Sequence, residues 1–98
     1  MTKFVMLSIL GPDGSATLRD NPVRIKEVNA EVEAMGGTVL QQYVLLGQWD
    51  FLTIIDAPDE LTMARIATVL ASRGTVKTRT LTAIDVDDFI AYIAEKGD

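Results

Sequence analysis

The sequence predicts an α+β domain: one antiparallel sheet of four strands, two amphipathic helices across one face, and a short helix at the C-terminal end. Three observations predict it. Apolar runs that fit strands alternate with stretches whose apolar residues recur at helical spacing. Glycine and proline punctuate most of the boundaries between them. At 98 residues, 48% hydrophobic and 23% charged, the chain has the composition of one globular domain, 1–98, around a single core.

Residues 3–10 are nearly all apolar and rich in β-formers, as in a strand buried on both faces, and Gly11 and Pro12 stop it. Residues 11–21 are polar and without clear period, which predicts a loop with at most one helical turn, longer than most connections. Asn21 before Pro22 predicts a helix start, with a side-chain acceptor at the N-cap and a proline where no N–H is needed. Ile25, Val28, Val32 and Met35 then fall at helical spacing, and Gly36-Gly37 ends the helix.

Residues 38–46 and 49–55 read as strands, joined by Gly47-Gln48 as a two-residue II′ turn. Pro58 and Asp59 open a second helix with Met63, Ile66, Ala67 and Leu70 inside, and Arg73 and Gly74 close it. Residues 75–84 form a threonine-rich fourth strand. Asp85 and Asp88 then cap a last helix presenting Phe89, Ile90 and Ile93.

The order β-α-β-β-α-β-α is that of a ferredoxin-like sandwich with an added helix, for which the strand order is 4-1-3-2. The residues agree with that order. The two strands placed centrally are the most continuously apolar, and those placed at the edges carry Gln41-Gln42 and Thr78-Arg79-Thr80. Two helices cover one side of such a sheet, yet the central strands are apolar on both sides: Val5, Leu7 and Ile9 against Phe4, Met6 and Leu10. Soluble monomers avoid leaving a face of that size wet, so the sequence predicts a homodimer or higher oligomer through the sheet. The competing arrangement folds the C-terminal helix back over the same face.

Absences narrow the chemistry. Without histidine or cysteine, triads built on histidine, thiolate chemistry, disulfides and His- or Cys-ligated metals are excluded. A net charge of −5 argues against nucleic acid as a partner. The apolar N-terminal run is too short for a membrane span and lacks a signal-peptide cleavage site, so the expectation is a cytoplasmic protein with no membrane partner. No phosphate loop or metal cluster is visible, which leaves no cofactor to expect. Asp85, Asp87 and Asp88 read as helix capping rather than a metal site.

One family resemblance covers nearly the whole chain. Gly47-Gln48-Trp49-Asp50, the apolar strand after it and Asp56-Ala57-Pro58-Asp59 resemble the GYD domain family, within the dimeric α+β barrel group. Residues 20–24 (DNPVR) match the family's helix entry, Gly36-Gly37 its end, and residues 76–81 (VKTRTL) its last strand. Trp49 stands where the family's tyrosine is usual, and Asp56 where a glutamate is common. The resemblance implies the fold and the dimer more than an activity.

Candidate site residues follow from their chemistry. Asp50 is either a carboxylate in the barrel mouth, suited to general-base work, or a turn residue that accepts backbone N–H bonds or pairs with Arg79. Tyr43 is a second catalytic candidate. Trp49, Tyr43, Gln42 and Arg79 are the candidates for ligand binding, as apolar walls and orienting donors or as packing and edge-strand charge. In an ideal two-residue turn, Trp49, Phe51, Thr53, Val44 and Gln42 share one face, and Tyr43, Asp50 and Leu52 the other. A single bulge exchanges the two sets.

Three functions fit these residues. One is a homo-oligomeric module that binds a small, partly apolar molecule between sheet and helical lid. A second, by fold analogy, is a cofactor-independent oxygenase or isomerase acting on an aromatic or polyketide-like compound. The third is an ACT-like regulatory module that binds an amino acid at loop 11–21.

Overall fold

The structure, a computed structural model, describes residues 1–11, 14–72 and 76–96. Its elements are β1 (Thr2–Leu10), α1 (Gly14–Asp20), α2 (Arg24–Ala34), β2 (Thr38–Val44), β3 (Phe51–Ala57), α3 (Glu60–Ala71), β4 (Val76–Ala83) and α4 (Val86–Lys96). All strand pairs are antiparallel and the order is β2-β3-β1-β4, the expected 4-1-3-2 seen from the other edge. The expected roles of Pro12, Arg73, Gly74 and Thr75 lie outside the described residues.

Register decides which side of the sheet holds the core. Phe4 pairs with Ile55 and Met6 with Thr53, and all four are buried. These residues, with Phe51 and Ala57, face the helices. Val32 of α2 and Met63, Ile66 and Leu70 of α3 close over them, and Ile55 and Ile66 are wholly inaccessible. Burying a side chain of this size stabilises the fold by roughly 1.5–3 kcal/mol. The inner stripe expected for α3 is the one observed, with Ala67 partly buried beside it.

One end of each core helix is set by local chemistry. Asp59 has extended backbone and its carboxylate accepts the Thr62 N–H at 2.8 Å, which makes it the N-cap of α3. At the end of α2, Gly36 takes φ 101°; its N–H bonds the Glu33 carbonyl at 3.0 Å, and the Gly37 N–H bonds the Val32 carbonyl at 3.1 Å. That pair of bonds is a Schellman motif.

Three expectations change, and the competing placement of the last helix is not the one observed. Residues 14–20 form a helix, α1, where a loop was expected; Ala16, Leu18 and Arg19 favour helix, but seven residues are too few to display a period. Asn21 does not cap α2 through its side chain: its carbonyl accepts the Arg24 N–H at 3.1 Å, and Val23 is the helical N-cap. Short i→i+3 bonds around Pro22 thus delay the helix by two residues.

The β2–β3 connection is not a two-residue turn. It spans residues 45–50, closed by the Leu45 N–H on the Asp50 carbonyl at 2.8 Å, and β3 extends to Ala57. Leu46 is fully exposed, so its apolar character reflects no strand burial. Finally, α4 does not fold back over the sheet. None of its residues is buried. The radius of gyration is 15.3 Å, against about 13 Å for a compact chain of 100 residues. The helix stands away from the body.

Candidate functional site

The side of the sheet away from the core helices is open. Strand register lays its residues out in cross-strand rows. One row reads Tyr43, Leu52, Leu7, Arg79; the next reads Gln41, Ile54, Val5, Leu81; a third reads Thr38, Asp56, Lys3, Ala83. The middle of this face is therefore aliphatic, with polar groups at its margins. A bulge at Leu40 makes the β2 alternation come out this way, since Val39 pairs with Ile55 and Gln41 with Ile54.

Trp49 and Arg79 meet at one end of that face. The Arg79 guanidinium lies 5.7 Å from the centre of the indole ring. This is within cation–π range. Among the described residues no carboxylate is paired with Arg79, so its N–H donors remain available at an exposed position. Tyr43 lies at the opposite end of the same row, its hydroxyl donating to Gln41 Oε1 at 2.7 Å. Aromatic body, aliphatic floor and cation share one surface.

Trp49 leaves the strand because of Asp50. The Asp50 N–H bonds the Ser8 carbonyl at 2.8 Å, as the next rung of the β1–β3 ladder. Its carboxylate then accepts the Leu10 N–H at 2.8 Å, doing what a further β3 residue would otherwise do. With the ladder ended, the chain turns and the indole folds over the open face. Of the two roles weighed for Asp50, the acceptor of a backbone N–H is the one the geometry displays.

Gln42 is not with the other candidates. It faces the helices, accepting from Asn29 Nδ2 at 3.0 Å and donating to Thr53 Oγ1 at 3.4 Å. It borders an open cleft of about 540 Å³ between α2 and β2, with Lys26, Asn29 and Glu33 on the helix side. The reading from sequence missed Asn29. Its signal was a polar residue between Val28 and Val32, beside the apolar stripe of α2.

The second exposed surface is α4. Val86, Phe89, Ile90 and Ile93 fall at i, i+3, i+4 and i+7, so they line one side, and the least exposed of them is still 41% accessible. Asp85 caps the helix, its carboxylate accepting the Asp87 N–H at 2.9 Å. Tyr92 carries Lys96 over its ring at 5.3 Å. Among the described residues no group of three or more His, Cys, Asp or Glu is placed to hold a metal ion, and no helix is long and apolar enough to cross a membrane.

The GYD domain model matches residues 4–93, running from β1 into the apolar face of α4. The chain belongs to the GYD domain family. A Thermus thermophilus protein named glutamine synthetase and cystathionine beta-lyase binding protein is 52% identical over 94 residues, which cover 95% of this chain and 99% of that one. Two crystal structures share the fold at 17% sequence identity. FFRP-DM1 has a TM-score of 0.63 over 86% of this chain and 100% of its own. TTHA0845, also from Thermus thermophilus, has a TM-score of 0.57 over 87% of this chain and 95% of its own.

Proposed function

We propose that this GYD domain is a self-associating binding module that docks onto metabolic enzymes, a glutamine synthetase and a cystathionine beta-lyase among them. The observation that carries the proposal is the bare apolar side of α4, in a chain whose full-length relative at 52% identity is named for its protein partners. An amphipathic helix with anchors at i, i+3, i+4 and i+7 suits an apolar groove on another protein. The acidic first turn, with Asp87 and Asp88, remains on the solvent side as a polar rim.

Self-association is supported by the other bare surface. Val5, Leu7, Ile9, Leu52 and Ile54 are only half-buried within one chain, side by side in the two central strands. A second copy covering them removes a wet aliphatic patch of the kind soluble monomers avoid. The two surfaces then divide the work: sheet to sheet for the copies, α4 for the enzyme.

A second reading is favoured by one contact, the Arg79–Trp49 stack. In this reading the open face holds, in place of a second copy, a small molecule with an anionic group on Arg79 and an apolar body over Leu7 and Leu52.

The docking proposal is tested by titrating purified glutamine synthetase and, separately, purified cystathionine beta-lyase with the protein in a calorimeter, beside the double variant Phe89→Asp/Ile93→Asp. The wild type binds and the variant does not, while its thermal unfolding stays close to the wild type's, because neither side chain is buried in its own chain. Absence of wild-type binding to both enzymes, or full binding by the variant, overturns the assignment.

A further inference from the structure

The geometry points to a particular placement of the second copy: it sits on the open sheet face about a two-fold axis running along the strands, and it brings its own Tyr43 against the Arg79–Trp49 stack. The inference rests on the self-association proposed above and goes further by fixing how the two sheets are laid on each other.

Two sheets packed face to face keep their strands nearly aligned, about 10 Å apart. A two-fold axis in the plane between them can run along the strands or across them. Both choices put central strands over central strands, so apolar burial does not separate them. Charge does.

With the axis along the strands, each row lies over the same row in reverse. Leu7 meets the partner's Leu52, and Val5 meets the partner's Ile54. Lys3 then lies over the partner's Asp56, and the reciprocal pair closes a ring of alternating charge at one end of the interface. At the other end Arg79, with Trp49 stacked on it, lies over the partner's Tyr43, a neutral hydroxyl already polarised by Gln41. Every charged group that the open face presents in these rows meets an opposite charge or a polar group.

With the axis across the strands, the rows exchange. Arg79 then lies over the partner's Leu81 and Lys3 over the partner's Ile9, so that both cations are set against aliphatic side chains. Desolvating a charge without a partner is costly, and mismatched juxtapositions are what suppress wrong docking modes. Within these three rows the strand-aligned axis is the one that leaves no cation without a polar neighbour; Lys77, paired with Ile9 in the row beyond, stays exposed at the β4 edge.

The consequence is a composite corner at the interface, present twice. One copy supplies the indole and guanidinium, the other the phenol and Gln41. Neither copy holds that set by itself, because Tyr43 and Arg79 of one chain stand at opposite edges of the sheet, roughly 14 Å apart at ~4.8 Å per strand.

The test uses the absence of cysteine from this chain. Gln41→Cys and Leu81→Cys, both at exposed positions of the next row, each introduce a single thiol. The two variants are prepared separately with different tags, mixed, and treated with a bismaleimide about 10 Å long, matching the spacing of stacked sheets. The expected result is a cross-linked dimer in the mixture carrying both tags, and little from either variant alone. A strong dimer band from Leu81→Cys alone overturns the strand-aligned axis, as does a mixture that is dimeric by light scattering yet gives no mixed product. Light scattering that finds only monomer overturns the self-association itself, so the two failures are told apart.

Discussion

The Asp50 carboxylate accepts the Leu10 backbone N–H at 2.8 Å, at the point where β3 stops and the chain swings out to Trp49. One side chain thereby ends a strand without leaving its neighbour's donor unpaired. Replacing it tests that role. Asp50→Ala leaves the part-buried Leu10 N–H without this acceptor and is expected to cost about 1–3 kcal/mol. Asp50→Asn keeps an acceptor in place and is expected to lose distinctly less. Urea unfolding measures both. Equal losses for the two variants would show that the hydrogen bond is not what the carboxylate supplies.

Gly37 lies where a side chain would press on its neighbours in the core. A Cβ there would stand 3.0 Å from Ile66 Cδ1 and Val32 Cγ1 and 3.2 Å from Ile55 Cγ2, all in the buried core. Gly37→Ala is expected to destabilise by about 1–3 kcal/mol, as overpacking does. Ile66→Val removes one of the clashing atoms, so the double variant should lose less than the sum of the two single losses. Simple additivity in denaturant unfolding would place the cost in the backbone instead.

Much of the fold could be read from the residues, because its signals are local and repeated. Met63, Ile66 and Leu70 recur at helical spacing, and Asp59 and Gly36 are terminator chemistry confined to a few positions. The strand order followed from comparing whole strands, where one misjudged residue does little harm. The misreadings sit where a distant group decides. The β2–β3 connection depends on Leu10, which is 40 residues from Asp50 in sequence. The sequence left open which face Gln42 takes, because one bulge at Leu40 exchanges the faces and no residue type marks a bulge there. Trp49, Tyr43 and Arg79 were legible as candidates by chemistry alone, but their sharing of one surface is a matter of register.

The Asp59 cap predicts a pH dependence. Bonds from the Thr62 backbone N–H, then from its hydroxyl, hold the Asp59 carboxyl below its ordinary value of 3.8. A depressed folded-state value means that the cap's stabilisation is fully present above the unfolded value and is lost as pH falls through the folded one. Stability measured from pH 6 downward should therefore fall less steeply below pH 3.8 in Asp59→Asn than in the wild type. An unchanged slope would mean that Asp59 caps α3 equally well when protonated.

The Arg79–Trp49 stack can be read optically, because the chain contains a single tryptophan. An exposed cation–π contact is worth only about 0.5–1 kcal/mol. Arg79→Leu should accordingly alter Trp49 emission while leaving unfolding nearly unchanged. The same signal reports on the ligand reading. Benzoate offers a carboxylate to the guanidinium and a flat apolar ring to the surface made by Leu7 and Leu52, so it is expected to change Trp49 emission saturably in the wild type. Benzamide has the same ring without the charge and should produce a far weaker response. In Arg79→Leu the two compounds should behave alike, because the group that distinguishes them is gone. If the wild type itself does not distinguish benzoate from benzamide, Arg79 selects no anion, and the stack serves only to hold Trp49 against the sheet.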